Sequence, residues 1–158
     1  MLRPRQLCIT SAGGLEEAVR RTRLALPGAP ASVALQVDVR NAFNEVDRAA
    51  VLQAVRQGTP ELVRFIEMLY VPETPLWYAT TRPGSPIAIP SSSGTQQGDP
   101  LGGALFCLAL QPVLQRLHDA YPDVSVVALY DDVTLVGPGA RVAAAYADLG
   151  AGLATIGH

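Results

Sequence analysis

Lysine is missing from this sequence: all twelve basic residues are arginine, and the formal net charge is −2. A module that grips a nucleic-acid backbone by its own charge is normally basic. The chain is therefore not a self-sufficient polyanion binder, and any basic channel would have to be completed by parts outside it. The missing lysines, with the abundant alanine, glycine and proline, read as the compositional bias of a GC-rich coding sequence. Cysteine is almost as scarce. Cys8 and Cys107 lie far apart in the sequence, in apolar surroundings, with no metal-ligand spacing. A reduced intracellular setting is expected. Met1 to Gln6 lacks the apolar core of a secretion signal. The longest apolar stretch, around Gly103 to Leu110, is too short to span a bilayer. The expectation is an intracellular chain with no membrane association; nuclear and cytoplasmic locations are not distinguished.

What is present suits a folded domain. Of 158 residues, 49% are apolar, enough for a proper core and too many for a disordered tail. Leu15 to Leu26 is charged and periodic, a helix stopped by Pro27-Gly28-Ala29-Pro30. Ser32 to Val39 (SVALQVDV) is almost wholly apolar, the pattern of a buried strand. Asp47 is a cap for a helix over Arg48 to Gln57, and Thr59-Pro60-Glu61 starts another that runs to about Tyr70. Leu76 to Thr81 and Ile87 to Pro90 read as strands around the turn Arg82-Pro83-Gly84-Ser85. After a polar loop, Ser91 to Asp99, Pro100 opens an apolar helix to about Tyr121. Val124 to Tyr130 and Val133 to Val136 are strands flanking Asp131-Asp132. Ala140 to Ile156 is a last helix, with an unfavourable Gly150-Ala151-Gly152 inside it. No repeat or interdomain linker interrupts this order. The fold class expected is α+β, an antiparallel sheet backed by helices on one face.

Three carboxylates stand where apolar residues are expected. Asp38 lies inside an apolar strand, and Asp131 and Asp132 interrupt a second apolar run. A carboxylate there loses hydration at a cost of several kcal/mol unless compensated. A divalent cation would relieve both that cost and the repulsion within the Asp-Asp pair, and magnesium favours a few carboxylates plus substrate phosphates. An aspartate in a strand serves equally to pair with an arginine, and an Asp-Asp pair equally makes a polar hairpin turn. The carboxylates alone leave both readings open. The stretch Ser91-Ser92-Ser93-Gly94-Thr95-Gln96-Gln97-Gly98-Asp99-Pro100-Leu101-Gly102 is small and flexible, able to approach a nucleotide closely or to serve as a plain loop before a helix. It is not a P-loop, since no Gly-Lys-Ser/Thr follows.

Together, these segments resemble reverse transcriptases, especially those of non-long-terminal-repeat retrotransposons. Val37-Asp38-Val39-Arg40-Asn41-Ala42-Phe43-Asn44 resembles the first motif of the polymerase palm, an aspartate followed five places later by an aromatic residue. Ser93 to Gly102 resembles the second, with its Gln-Gly-Asp-Pro-Leu core. Leu129-Tyr130-Asp131-Asp132-Val133 resembles the Tyr-x-Asp-Asp box. The three occur in the family's order, and the likeness extends from about Arg3 to the C-terminus. In one respect the sequence departs from the family: Leu129 stands where the box carries tyrosine, and Tyr130 comes one place later.

The resemblance implies a palm-like antiparallel sheet backed by helices. It implies one partial reverse transcriptase domain over residues 1–158, with most of the fingers and the thumb outside it. It implies an RNA-directed DNA polymerase palm with a two-metal nucleotidyl-transfer site. Asp38, Asp131 and Asp132 would be catalytic. Two Mg²⁺ ions, with Mn²⁺ as a substitute, would be held by these aspartates and the Val39 carbonyl. Phe43 would lie under the incoming sugar as a gate against a 2′-hydroxyl, and Gln97 and Gly98 would contact the nucleotide. Asn41 and Asn44 would contribute there or simply stabilise the turn. RNA template, DNA primer and deoxynucleoside triphosphates would be the partners of the complete enzyme. An RNA-directed RNA polymerase would carry a polar residue at the place of Phe43. The other class of reading is a catalytically silent remnant or interaction module, inactive as it stands.

Overall fold

The computed structural model describes residues 2, 5–9, 12–26, 31–79, 86–96 and 98–158. The expected turn over Arg82 to Ser85 and the expected nucleotide contact Gln97 lie outside the described residues. The chain runs α1 (Gly14–Ala25), β1 (Ser32–Asp38), α2 (Ala42–Glu45), α3 (Arg48–Gly58), a 3₁₀ turn (Pro60–Leu62), α4 (Val63–Tyr70), β2 (Thr74–Tyr78), β3 (Ile87–Ser91), α5 (Gly102–Ala120), β4 (Ser125–Leu129), β5 (Asp132–Pro138) and α6 (Gly139–Ala154). Asp47 caps α3 as its sequence position suggests, its side chain accepting from the Ala49 amide at 2.8 Å. The short α2, one turn after β1, had no sequence signal.

The main sheet has the order β1-β5-β4, antiparallel throughout. Alternation along each strand sorts the side chains by face. Val133 and Leu135 of β5, opposite Ala128 and Val126 of β4, face the main core. Phe106, Leu110 and Leu114 of α5 and Ala145 and Leu149 of α6 fill that core. The α+β class with antiparallel pairing is the one expected, and α5 and α6 form its helical layer. On the other face α1 adds a partial cover, Ala18 packing with Leu7, Val127 and Leu129. One expectation needs correction. β1 is an edge strand, not a buried one: only Leu35 and Val37 pack on the core, and Val33 is 42% exposed. An apolar run marks a strand, but a run in which neither face is polar does not say how many faces are covered.

β2 and β3 form a separate two-stranded ribbon that carries exposed Leu76, Trp77, Tyr78, Ile87 and Ile89. Among the described residues, no helix is long and apolar enough to cross a membrane.

The glycines of α6 look like helix breakers in the sequence, yet the helix continues through both. A Cβ on Gly152 would stand 2.5 Å from Val113 Cγ1, so this glycine lets α5 and α6 approach closely. A Cβ on Gly150 would meet nothing within 4 Å. Gly150→Ala should therefore stabilise the chain by about 0.5–1 kcal/mol through helix propensity. Gly152→Ala should destabilise it, because overpacking costs about 1–3 kcal/mol and outweighs the same propensity gain. Urea unfolding of the two variants measures the difference in sign; equal effects would show that the helices are not in close contact at Gly152.

Candidate nucleotidyl-transfer site

The register of β1 against β5 sets Asp38 directly opposite Asp132. Cross-strand partners project to the same face, so both aspartates sit on the face away from the main core. Asp131 lies beside them in the two-residue turn between β4 and β5, its carbonyl accepting from the Val39 amide at 3.4 Å. Thus three residues drawn from positions nearly a hundred apart meet at one end of the sheet. Asp38 is exposed, and Asp131 and Asp132 are half-buried. The Gln36 amide donates to Asp132 Oδ1 at 3.3 Å. Neither Asp38 nor Asp131 has a side-chain hydrogen bond or ion pair among the described residues. No cluster of three or more carboxylate, imidazole or thiol side chains closes around one point among the described residues.

Val39 is buried, and its carbonyl already accepts from the Ala42 amide at 3.3 Å. A carbonyl has a second lone pair, which is what Val39 could offer an ion.

Phe43 is half-buried one turn further on. Its ring lies 5.0 Å from Phe106 and 6.0 Å from Tyr130, centroid to centroid. Leu129 and Tyr130 do point apart. Leu129 joins the small cluster under α1, whereas Tyr130, at φ 56°, swings its ring over Gly103 of α5. A Cβ on Gly103 would come within 2.7 Å of Tyr130 Cε1. The turn therefore presents an aromatic surface, Phe43 with Tyr130, next to the aspartates. Asn41 is at φ 51° and donates to Glu45 Oε1 at 2.9 Å, while the Asn44 carbonyl accepts from Ser93 Oγ at 3.2 Å. Both act here as turn residues.

The glycine loop is tied to the same place through its backbone. The Thr95 amide donates to the Phe43 carbonyl at 2.6 Å and the Gly94 amide to the Val46 carbonyl at 2.9 Å. Gly94, at φ 71°, allows no substitute, since a Cβ would fall 2.3 Å from the Asn44 oxygen. Gly98 is exposed at φ 92° with open space around it.

Arg48 holds this loop, and the sequence reading missed it. It is only 8% exposed and, among the described residues, has no carboxylate partner. Its Nε donates to the Gly94 carbonyl at 3.0 Å, Nη1 to the Ser91 and Tyr70 carbonyls at 2.8 and 3.3 Å, and Nη2 to Ser91 Oγ and the Ser93 carbonyl at 2.9 and 3.2 Å. Five acceptors suit the planar fork of a guanidinium and not the point charge of an ammonium. A signal was available: Arg48 opens α3, where a cation opposes the helix dipole. Tyr70 braces the loop's other end. Its hydroxyl donates to Asp99 Oδ2, and Asp99 Oδ1 caps the Leu101 amide at 2.9 Å.

A family model for reverse transcriptase (RNA-dependent DNA polymerase) matches residues 3–151. The chain belongs to the reverse transcriptase family. Its sequence is 30% identical over 131 residues to the retrotransposable element SLACS 132 kDa protein of Trypanosoma brucei gambiense. That match takes in 80% of this chain and 11% of the relative, so the chain spans about a tenth of the relative's length. In structure it is similar to an apo telomerase from Candida tropicalis truncated from its C-terminal domain, with a TM-score of 0.63 at 14% identity. The superposition covers 89% of this chain and 31% of the telomerase, and it establishes a shared fold.

The brace at Tyr70 gives the reverse transcriptase chain a pH signature. Burial first, and the Asp99 carboxylate next, push the Tyr70 hydroxyl up to about 12. A folded-state value above the unfolded one, about 10, makes a contribution that is whole below the unfolded value and is lost as pH rises through the folded one. Stability should therefore decline between about pH 10 and 12. Tyr70→Phe should remove that part of the decline in urea unfolding, and an unchanged decline would place the alkaline titration elsewhere.

Proposed function

We propose that this segment is the palm of an RNA-directed DNA polymerase of retrotransposon origin, carrying a two-metal nucleotidyl-transfer site. The observation that carries the reading is that Asp38, Asp131 and Asp132 lie at one end of the sheet, inside the region that the reverse transcriptase family model matches and in segments that resemble the family's motifs. Two carboxylates without a partner among the described residues, beside a third, fit a hard cation that takes only part of its shell from protein. Asp38 and Asp131 would hold two Mg²⁺ ions, or Mn²⁺ in their place, with Asp132 and the Val39 carbonyl assisting. When bound, such ions activate a primer hydroxyl and stabilise charge on the transferring phosphoryl group.

The chain's own residues do the positioning. The Val39–Asp131 backbone bond locks the turn to the end of β1, so the carboxylates are held by the sheet and not by a mobile loop. Phe43 packs against Phe106 and Tyr130; in the proposed role its ring would lie under the sugar of an incoming deoxynucleotide and exclude a 2′-hydroxyl. Gly98, and Gln97 with it, would meet the nucleotide, on a loop whose near end Arg48 fixes. RNA template and DNA primer are the expected partners. The local charge does little to recruit them, so the duplex would be gripped by other parts of the polymerase.

The test uses the full polymerase that contains this segment, on an RNA template with magnesium and deoxynucleotides. Asp131→Asn should lower primer extension at least a hundredfold, on the order of what is lost when electrostatic stabilisation of a transition state is removed. Phe43→Ala should retain extension with deoxynucleotides and admit ribonucleotides more readily. Undiminished extension by Asp131→Asn would contradict the catalytic reading and favour a silent remnant. Unchanged sugar discrimination in Phe43→Ala would make Phe43 a core residue only.

A further inference from the structure

Cys8 and Cys107 are 99 residues apart in the chain, but the fold brings their sulfurs to 4.0 Å. The apolar surroundings read from the sequence hold for Cys107, which is fully buried in α5. Cys8 is half-buried on the N-terminal segment that pairs with β4, where the Leu7 amide donates to the Ala128 carbonyl at 3.1 Å. Each thiol has a further polar contact. Cys107 Sγ donates to Gln6 Oε1 at 3.4 Å. The Tyr130 amide donates to Cys8 Sγ at 3.3 Å.

That last contact matters because of where it falls. Tyr130 is one of three non-glycine residues at positive φ among those described, and it precedes Asp131. A non-glycine residue in that region costs on the order of 1 kcal/mol and persists only where its surroundings hold it. The sulfur of Cys8 is the acceptor that satisfies its amide.

Two thiols in contact are often only small apolar packing units. Such a pair would be inert, with both thiols raised by burial. Here the two differ. The single Cys107 proton has two acceptors in reach, Gln6 Oε1 and Cys8 Sγ; turned toward Cys8, it brings that thiol down to about 7 together with the Tyr130 amide, while the bond to Cys8, burial, and the charges of Cys8 and Asp131 push Cys107 up. The more accessible sulfur is the nucleophile, and the buried one keeps its proton and faces it.

We propose that Cys8 is a hydroperoxide-reactive site that closes an intramolecular disulfide with Cys107, withdrawing the sulfur from the Tyr130 amide and shifting the turn that carries Asp131. In the first step the Cys8 thiolate attacks a peroxide oxygen. The S–O bond forms, the O–O bond breaks, and the leaving alkoxide or hydroxide takes a proton, giving Cys8 sulfenic acid and an alcohol or water. In the second step Cys107 sulfur attacks Cys8 sulfur. The S–S bond forms, the S–O bond breaks, and the hydroxide leaves with the Cys107 proton as water. Two thiols are oxidised by two electrons and one peroxide is reduced. The sulfurs must close by about 2 Å to reach bonding distance, within the reach of side-chain rotation. The oxidation chemistry is independent of the proposed polymerase role; only its effect on the aspartates rests on that reading.

The full chain treated with hydrogen peroxide should lose two hydrogens in intact mass, and a non-reducing peptide map should join Cys8 to Cys107. Cys8 should react about fivefold faster than N-acetylcysteine at neutral pH, the gain in thiolate fraction less the loss in nucleophilicity. Cys107→Ser should stop at a Cys8 sulfenic acid that dimedone traps, and Cys8→Ser should leave Cys107 unmodified. Backbone amide resonances of Tyr130, Asp131 and Asp132 should move on oxidation and return with a reductant. Reaction no faster than the free thiol, or products limited to intermolecular disulfides and sulfinic acid, would overturn the site. A disulfide that forms without moving those resonances would overturn its coupling to the turn. Mn²⁺ broadening of the same resonances in the reduced chain reports on the proposed metal site separately, so the two ideas fail independently.

Discussion

Everything at the candidate site depends on the antiparallel ladder between β1 and β5. It matches Ser32 to Pro138 at one end and Asp38 to Asp132 at the other. A slip by one residue would turn the whole of β1 over, carrying Leu35 and Val37 out of the core and Asp38 into it. Burial of those two apolar side chains therefore fixes the register, and the register fixes which carboxylate meets which. The Val39–Asp131 bond extends the same ladder one step past the last paired residues and ties down the turn. The placement of the three aspartates, on this account, is a by-product of hydrophobic alternation.

A second constraint acts on the glycine loop. Loops near a site need both closeness and a fixed path, and here the two come from different residues. Gly94 supplies closeness, since no side chain fits between it and the Asn44 carbonyl. Arg48 supplies the path by donating to three loop residues at once. Among the described residues the cation has no carboxylate partner, and its charge is spread over carbonyl and hydroxyl oxygens and the Tyr70 ring, 5.5 Å away. Removing it would strand several buried acceptors, each costing about 1–3 kcal/mol.

How much of this was legible in the sequence follows from the kind of interaction involved. Strands and helices announced by periodicity were found within a few residues, and the Asp47 cap was read from its side chain alone. Asp38 and Asp131-Asp132 stood out as polar residues in apolar runs, but these and the glycine loop were legible as a site only through their resemblance to reverse transcriptase motifs. The edge position of β1 was not, because exposure depends on what the rest of the sheet leaves uncovered. The α6 glycines were misleading for a related reason: propensity counts against Gly152 locally, while α5 packing demands it. Arg48, Tyr70 and the pairing of Cys8 with Cys107 were invisible, since each depends on contacts between distant segments. The swing of Tyr130 toward Phe43 follows from a positive φ that no alternation rule anticipates.

The central claim is that the β1–β5 register sets Asp38 opposite Asp132, with Asp131 in the adjoining turn, at the end of the sheet where a metal site is proposed. The most direct measurement is a crystal of the chain soaked in Mn²⁺, examined by anomalous scattering. The account predicts a peak at the end of the sheet, within coordination distance of the Asp38 and Asp131 carboxylates and absent from an Asp38→Asn crystal. Manganese bound elsewhere, or Asp38 turned to the opposite face from Asp132, would contradict it.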